Sequence, residues 1–211
     1  MGKTKIEFTV FTAGLFIFSS ICFVSLSLAE TPGQSAFNKG TLLMGQGKID
    51  EAIAEFKKAI AIDQDHVDAH YNLGMAYHLK AAQKNNINIR EIGSTFPKQT
   101  YRTKWTDVDE LNLAIIEFKE VLRLQPNAAD AHFKLGLLYD NKNDIQNALQ
   151  EYREAIKLDP RGLDGQDSRA NIALILFHVQ GKKDEAIKEL EALLEINPNH
   201  PSKENLKLMK R

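Results

Sequence analysis

Cysteine is almost absent from this chain of 211 residues, and the single thiol, Cys22, lies in an apolar N-terminal segment. Beyond that segment, the sequence offers no disulfide, no cysteine-ligated zinc site and no cysteine nucleophile. The chain also lacks an excess of charge of either sign, with a formal net charge of −1. Nucleic-acid-binding proteins carry a strong basic excess, so we predict no nucleic-acid partner.

The sequence also lacks the residue patterns of a catalytic or metal site. His66 and His70 lie four residues apart, but no glutamate follows His66 as a zinc-protease motif requires. His70 and His132 instead occupy equivalent positions in two similar stretches. GTLLMGQGK, from Gly40, has Gln46 where a phosphate-binding loop needs lysine. We therefore predict no enzyme activity, no catalytic residues, no cofactor and no metal. The alternative is a subunit that contributes active-site residues to an enzyme complex.

The N-terminus has the pattern of an export signal. Lys3 and Lys5 precede an apolar stretch over residues 8–26, and Ser27 and Ala29 supply the small side chains that signal peptidase prefers. We predict cleavage after Ala29, which makes residues 1–29 a signal peptide and the mature protein extracytoplasmic, in a periplasm-like compartment. The alternative is an uncleaved membrane anchor, because ~20 apolar residues can span a bilayer.

Four stretches of the sequence repeat one pattern. They are DEAIAEFKKAIAIDQD, NLAIIEFKEVLRLQPN, QNALQEYREAIKLDPR and DEAIKELEALLEINPN, starting at Asp50, Asn112, Gln146 and Asp184. Each has a small residue, a large one four later and an apolar one three after that, which places all three on one helical face. A second apolar stretch precedes each of them, and in two cases it contains Leu-Gly, at Gly74 and Gly136. Glycine weakens a helix, so we interpret these two as points where helices pack closely.

This order of Leu-Gly, Tyr, Ala, Phe or Tyr, Ala and Pro resembles the tetratricopeptide repeat (TPR), a helical hairpin of about 34 residues. The resemblance covers most of residues 33–200 and implies an all-α, right-handed α-solenoid of about four hairpins. The implied repeats are residues 33–66, 67–128, 129–162 and 167–200, with a capping helix at 201–211. Repeat one departs from the pattern at Lys39 and Gln64. Repeat four lacks Leu-Gly and follows a four-residue insertion at 163–166. Atypical terminal repeats are expected in a solenoid.

The second repeat contains a long insertion, at residues 81–108. It carries five basic side chains against two acidic ones, together with three aromatic residues. Arginine and aromatic side chains dominate the energetics of protein interfaces. One hypothesis is that the insertion binds a partner or a second copy of the chain. The alternative is that it folds back on the repeats, with its tryptophan in the core. The candidate binding residues are Arg90, Phe96, Lys98, Tyr101, Arg102, Lys104 and Trp105.

The resemblance further implies a concave groove lined by the first helix of each repeat, where family members often bind ligands. It places there Phe37, Thr41, Met44, Tyr71, Asn72, Met75, His78, Phe133, Lys134, Leu137, Asn171, Ile175 and His178. This mixed but strongly apolar face suits an extended or helical segment of a partner. A carboxylate clamp is rejected, because Phe37, Thr41 and Asp130 stand where clamp-bearing repeats have basic or amide side chains. For each apolar residue, the alternative is packing between neighbouring helices.

These features predict a protein-binding scaffold that helps assemble or stabilise an extracytoplasmic multiprotein complex. Its expected partners are one or more proteins, with a multisubunit enzyme complex and a second copy of the chain as candidates. One alternative is a membrane-tethered assembly factor or chaperone-like peptide binder, with membrane contact only if the N-terminal segment is retained. Another is an accessory subunit of an enzyme complex.

Overall fold

The computed structural model describes residues 30–85, 105 and 109–211. In that part of the chain every regular element is an α-helix. The helices are α1 (Pro32–Gly45), α2 (Ile49–Ile62), α3 (Val67–Lys84), α4 (Asp109–Leu124), α5 (Ala129–Asn141), α6 (Ile145–Leu158), α7 (Leu163–His178), α8 (Lys183–Ile196) and α9 (Lys203–Met209). Among these helices, none is both long and apolar enough to cross a bilayer. The predicted signal peptide, residues 1–29, lies outside the described residues.

Consecutive helices pair into four hairpins, α1 with α2, α3 with α4, α5 with α6 and α7 with α8, and each hairpin packs on the next. First helices of neighbouring repeats also contact each other, α1 with α3 and α5 with α7. Successive second helices, as far as the structure describes them, make at most marginal contacts. Because the first helices lie closer together, the stack curves around them and they line its concave side. The predicted right-handed α-solenoid of four helical hairpins is confirmed.

A glycine facing an aromatic ring brings the two helices of the first three hairpins together. A Cβ atom added to Gly74 would lie 2.9 Å from the Phe118 ring, and one added to Gly136 would lie 2.6 Å from the Tyr152 ring. In repeat one, Gly40 stands in the same relation to Phe56, at 2.7 Å. These distances leave no space for a side chain, which confirms that Gly74 and Gly136 are close-packing points.

Repeat four fills the same space differently. Its loop between the two helices is one residue longer than that of repeat three, because the Lys182 amide bonds the oxygen of Leu176 where the Asp144 amide bonds that of Tyr139. Ala173 therefore stands at the glycine position and Leu190 at the aromatic position, and both are fully buried. A leucine is smaller than a phenylalanine or tyrosine, which leaves room for the methyl group of Ala173.

The C-terminal end of the stack is capped as predicted. Helix α9 packs against α8, with Met209 buried and Leu206 resting on the core of the last hairpin. Helix α9 therefore covers the apolar face that the last repeat would otherwise expose to solvent, as the end of a solenoid requires.

Within residues 30–211, as far as the structure describes them, nothing covers the N-terminal end of the stack, and this accounts for the atypical first repeat. Leu42 is 62% exposed, whereas its equivalents Ala76 and Leu138 in repeats two and three are fully buried. On the same face of α1, Lys39 replaces the leucine of the later repeats and its Nζ lies 2.9 Å from Glu55 Oε1. Within the described residues no repeat packs on this face, so a charged side chain there stays in water at little cost.

The structure moves two of the predicted boundaries. The insertion starts after α3, which continues to Lys84 and buries Ala81 and Ala82 in the core. Residues 80–84 are helix formers without proline or glycine, so nothing in them ends the helix. Residues 163–166, predicted as a short insertion, form the first turn of α7, and Gly165 and Gln166 there are buried.

Candidate functional site: the concave surface

The concave surface of α1, α3, α5 and α7 is the candidate binding site. Most of the residues predicted to line it are exposed or half-buried, namely Phe37, Thr41, Met44, Tyr71, Asn72, Met75, Lys134, Leu137, Asn171 and His178. Three others are not accessible, since His78 is 8%, Phe133 7% and Ile175 0% exposed. For these three, packing between helices is the correct description. They form the floor beneath the surface and do not contact its solvent side.

Aromatic packing holds the groove side chains in place from below. The Tyr71 ring stands edge-on to the buried Phe118 ring, with centroids 5.2 Å apart. At the start of the groove, Phe37 lies 6.0 Å from Phe56 and 5.0 Å from His66 between ring centroids. Side chains fixed in this way lose little further freedom when a partner binds, which lowers the entropic cost of association.

The insertion returns to the edge of the groove at Trp105. This residue is 7% exposed, belongs to the core cluster of repeats one to three, and its ring centroid lies 5.8 Å from that of His78. Trp105 is therefore a core residue and is not available to a partner in this structure. The other candidate residues of the insertion lie outside the described residues, namely Arg90, Phe96, Lys98, Tyr101, Arg102 and Lys104.

His78 links repeats two and three beside this tryptophan. Its Nε2 lies 3.2 Å from Asn141 Nδ2. Burial, helped by the nearby charge of Lys134, lowers the pKa of His78 to about 4. The ring is therefore neutral near pH 7, and its Nε2 can accept the hydrogen bond that the Asn141 amide donates.

Two histidines at equivalent positions join neighbouring repeats. His70 Nδ1 lies 2.7 Å from Glu117 Oε2, and its Nε2 lies 3.0 Å from the backbone oxygen of Gln64 in repeat one. These contacts give His70 a structural role, because it bonds its own hairpin and the end of the preceding repeat.

His132 repeats this arrangement one unit further along. Its Nδ1 lies 2.7 Å from Glu151 Oε2, and its Nε2 lies 3.3 Å from the backbone oxygen of Pro126. The hydrogen bond to Glu151 raises the pKa of His132, in spite of the opposing effect of partial burial. The charged form of the ring is thus favoured by folding.

In every repeat, a glutamate of the second helix pairs with a basic side chain of the first helix. These glutamates were not among the residues predicted from the sequence. Each of these glutamates directly precedes the large residue of the second helix, a regularity visible in the sequence. Each pairs with a basic side chain of the first helix, and the pairs are Glu55 with Lys39, Glu117 with His70, Glu151 with His132, and Glu189 with Arg169. His70, His132 and Arg169 each lie four residues before the glycine position of their repeat, whereas Lys39 lies one residue before it.

No cluster of three or more histidine, aspartate or glutamate side chains suited to a metal ion occurs in the part of the chain that the structure describes. The polar side chains of the concave surface are spread over all four repeats. Their arrangement supplies contacts for an extended partner.

Comparison with known proteins defines the class of this chain. A family model described as TPR repeat matches residues 40–80, and models described as tetratricopeptide repeat match residues 129–161 and 167–200. Together these stretches cover just over half of the chain. The chain is a tetratricopeptide-repeat protein.

Curated relatives share part of this repeat array. Photosystem I assembly protein Ycf3 of a Synechococcus species is 35% identical over 74 residues, which are 35% of this chain and 42% of that protein. Anaphase-promoting complex subunit 3 of Schizosaccharomyces pombe is 27% identical over 150 residues, which are 71% of this chain and 18% of that protein. The chain thus spans less than half the length of these two relatives.

Solved structures share the fold over a larger part of the chain. A crystal structure of MamA superposes with a TM-score of 0.61 and 23% identity, covering 93% of this chain and 96% of that one. The PilF structure of Pseudomonas aeruginosa has a TM-score of 0.57 and 20% identity, covering 81% of this chain and 64% of that one. At these identities the likeness concerns the fold alone.

Proposed function

We propose that this protein is a binding scaffold that uses its concave surface to hold a partner protein and so helps assemble or stabilise a multiprotein complex. The observation that carries the proposal is the surface itself. Half-buried apolar side chains, among them Met75 and Leu137, lie beside polar ones across three repeats and are held rigidly from below. Such a preformed, partly apolar surface suits a helical or extended segment.

The names of the relatives support a role in assembly. Ycf3 is described as an assembly protein of photosystem I, and the fission-yeast relative as a subunit of the anaphase-promoting complex. Both descriptions concern proteins that act with other proteins.

The compartment in which the scaffold acts is part of the proposal. The sequence of residues 1–29 supports export with cleavage after Ala29 and action in a periplasm-like space. Retention of this segment as an anchor would instead tether the same scaffold to a membrane. N-terminal sequencing and the intact mass of the native protein distinguish the two forms.

A second contact by the basic insertion remains part of the proposal. The sequence motivates it, with Arg90, Lys98, Arg102 and Lys104 in one segment. A test by deletion must keep α3 and Trp105, because both belong to the core. Replacement of the four basic residues by glutamine removes their charge and changes neither α3 nor Trp105. Loss of the partner by this variant supports the second contact, and unchanged retrieval contradicts it.

The groove itself is tested by affinity purification of the tagged full chain from its native cells. Leu137→Glu and Met75→Glu each place a charge on the concave surface. Ile116→Glu is the matched control, because Ile116 is 54% exposed on α4, a second helix on the outer side. We expect the unchanged chain and Ile116→Glu to retrieve one stoichiometric complex, and the groove variants to lose it. Equal retrieval of the complex by all four proteins would contradict binding of the partner in the groove. Circular dichroism checks that each variant is folded.

A further inference from the structure

The concave surface has an acidic rim. Helices α3, α5 and α7 each carry one carboxylate in the first turn, Asp68, Asp130 and Asp164. These first helices run side by side along the groove, so the three carboxylates follow one of its edges. Among the residues predicted to line the groove, only Lys134 carries a full positive charge near pH 7, since His78 is neutral.

Part of this rim is a compact cluster that spans three repeats. Tyr71 of α3 faces Asp130 of α5 and Asp164 of α7, and the burial of Tyr71 together with these two negative charges raises its pKa. Lys134 of α5 lies close enough to Asp164 to favour its ionised form. The cluster therefore joins the groove walls of repeats two, three and four.

Asp164 differs from the other carboxylates near it. Burial, which is the largest effect, and the neighbouring carboxylates raise its pKa, and only Lys134 acts in the opposite direction. Within the described residues Asp164 makes no hydrogen bond, whereas Asp159 accepts one from the Gly162 amide and Asp167 lies 3.3 Å from His200 Nε2. Asp164 keeps part of its surface in water, where a cation from a partner can reach it and form a charge-assisted hydrogen bond.

An acidic residue in the first turn of a helix has an ordinary explanation, because it interacts favourably with the helix dipole. That explanation suffices for Asp68, which is exposed, and for Asp130, whose Oδ1 accepts a hydrogen bond from the Ala131 amide. Asp164 also lies in a first turn, but it is half-buried and stands near three other carboxylates, Asp130, Asp159 and Asp167, which disfavour its charge. The combination of this carboxylate with the apolar groove beside it indicates a ligand that brings both apolar and cationic groups.

We propose that the occupant of the groove is a basic amphipathic segment of a partner protein. Its apolar side chains would pack on Met75 and Leu137, and a lysine or arginine side chain would pair with Asp164 and Asp130. An acidic segment would instead meet like charges along the rim. This proposal deepens the function proposed above and rests on it.

The test compares two fluorescent peptides of ~14 residues, about four helical turns. Both have leucine at helical spacing, and the remaining positions are lysine in one peptide and glutamate in the other. Fluorescence anisotropy of each peptide is titrated with the full chain, with Asp164→Asn and Asp130→Asn, and with Asp184→Asn. Asp184 is the matched control, because it is also a first-turn carboxylate but lies on the second helix α8.

We expect the lysine peptide to bind at least about tenfold more tightly than the glutamate peptide at ~50 mM salt. Asp164→Asn should weaken its binding by roughly fivefold to tenfold, the loss of one charge-assisted contact. Asp130→Asn should act in the same direction, and Asp184→Asn should change the affinity less than about twofold. The effect of Asp164→Asn should shrink at ~300 mM salt, because salt screens partly exposed charges.

Equal binding of the two peptides would overturn the proposal, and so would equal effects of Asp164→Asn and Asp184→Asn, which would indicate unspecific attraction to negative charge. Failure of both peptides to bind would also overturn it. The proposed function is judged separately by the native complex. If Leu137→Glu loses that complex while no basic peptide binds, the proposed scaffold function is supported and the proposed basic partner segment is contradicted.

Discussion

Gly136 faces the ring of Tyr152 so closely that an added Cβ atom would lie 2.6 Å from it, the shortest of three such glycine-to-ring distances along the stack. Tyr152 is fully buried and cannot move toward solvent. In repeat four, Ala173 and Leu190 occupy the corresponding positions. The separation of the two helices in a hairpin thus depends on the combined volume of the residues at the glycine and aromatic positions.

Gly136→Ala is therefore expected to destabilise the protein by about 1–3 kcal/mol through overpacking, although alanine favours a helix. Urea unfolding followed by circular dichroism measures the change. Gly45→Ala is the control, because nothing lies within 4 Å of a Cβ atom added there. Adding Tyr152→Leu to Gly136→Ala should cost less than the sum of the two single changes. Strict additivity would refute the volume argument.

The exposure of Leu42 at the N-terminal end of the stack leads to a second prediction. Leu42→Ala should change the free energy of unfolding by less than about 0.5 kcal/mol, because Leu42 is 62% exposed. Leu138→Ala, at the equivalent position of repeat three, should cost roughly 2–5 kcal/mol, because Leu138 is fully buried. Similar losses in the two variants would mean that something covers the N-terminal face in solution.

Trp105 is the only tryptophan of the chain, so its fluorescence reports on the docking of the insertion. We expect emission at shorter wavelength in the folded than in the unfolded protein, and weak quenching by iodide. Trp105→Ala should cost about 3–5 kcal/mol, while Trp105→Phe should cost less, since much of the buried ring surface is retained. Emission typical of exposed tryptophan in the native protein would contradict the burial of Trp105 against His78.

The His132–Glu151 pair predicts a pH-dependent stability. Folding raises the pKa of His132, so its contribution is fully present below the unfolded pKa of ~6.5 and is lost as pH rises through the folded pKa. His132→Gln should therefore destabilise the protein by ~1 kcal/mol more at pH ~5.5 than at pH ~9, a modest value because the pair is only partly buried. Unfolding titrations at both pH values measure it.

Glu151→Gln removes the same pair from the other side, and it should abolish the same part of the pH dependence. If His132→Gln costs the same at both pH values, folding does not raise the pKa of His132. A difference of opposite sign would mean that burial, and not Glu151, dominates the titration of His132.

The sequence predicted the hairpins well because their determinants are local and repeated. Ala148, Tyr152 and Ala155 lie at helical spacing, proline follows two residues after the end of three second helices, and Gly136 marks the close approach. Each of these signals acts within one repeat and needs no knowledge of the neighbouring ones. The capping helix could be predicted for the same reason, since Leu206 and Met209 form one apolar face.

What depends on the stacking of repeats could not be predicted in the same way. Phe133 and Ile175 occupy first-helix positions like those of Met75 and Leu137, yet the packing of α5 on α7 buries them. The burial of Trp105 depends on where a chain segment far from any repeat motif returns to the core. The surroundings of Asp164 could not be read from residue types, because they depend on which side chains of α5 reach α7.

The central claim is that the concave surface binds a partner, and site-specific photo-crosslinking in native cells tests it most directly. A benzophenone side chain placed at Leu137 lies in the groove, and one placed at Ile116 lies on the outer side of the stack. We predict that irradiation joins Leu137, and not Ile116, to one partner protein, and that Asp164→Asn lowers the yield at Leu137. Crosslinks from Ile116 alone, or the same proteins captured from both positions, would contradict the assignment of the binding site to the groove.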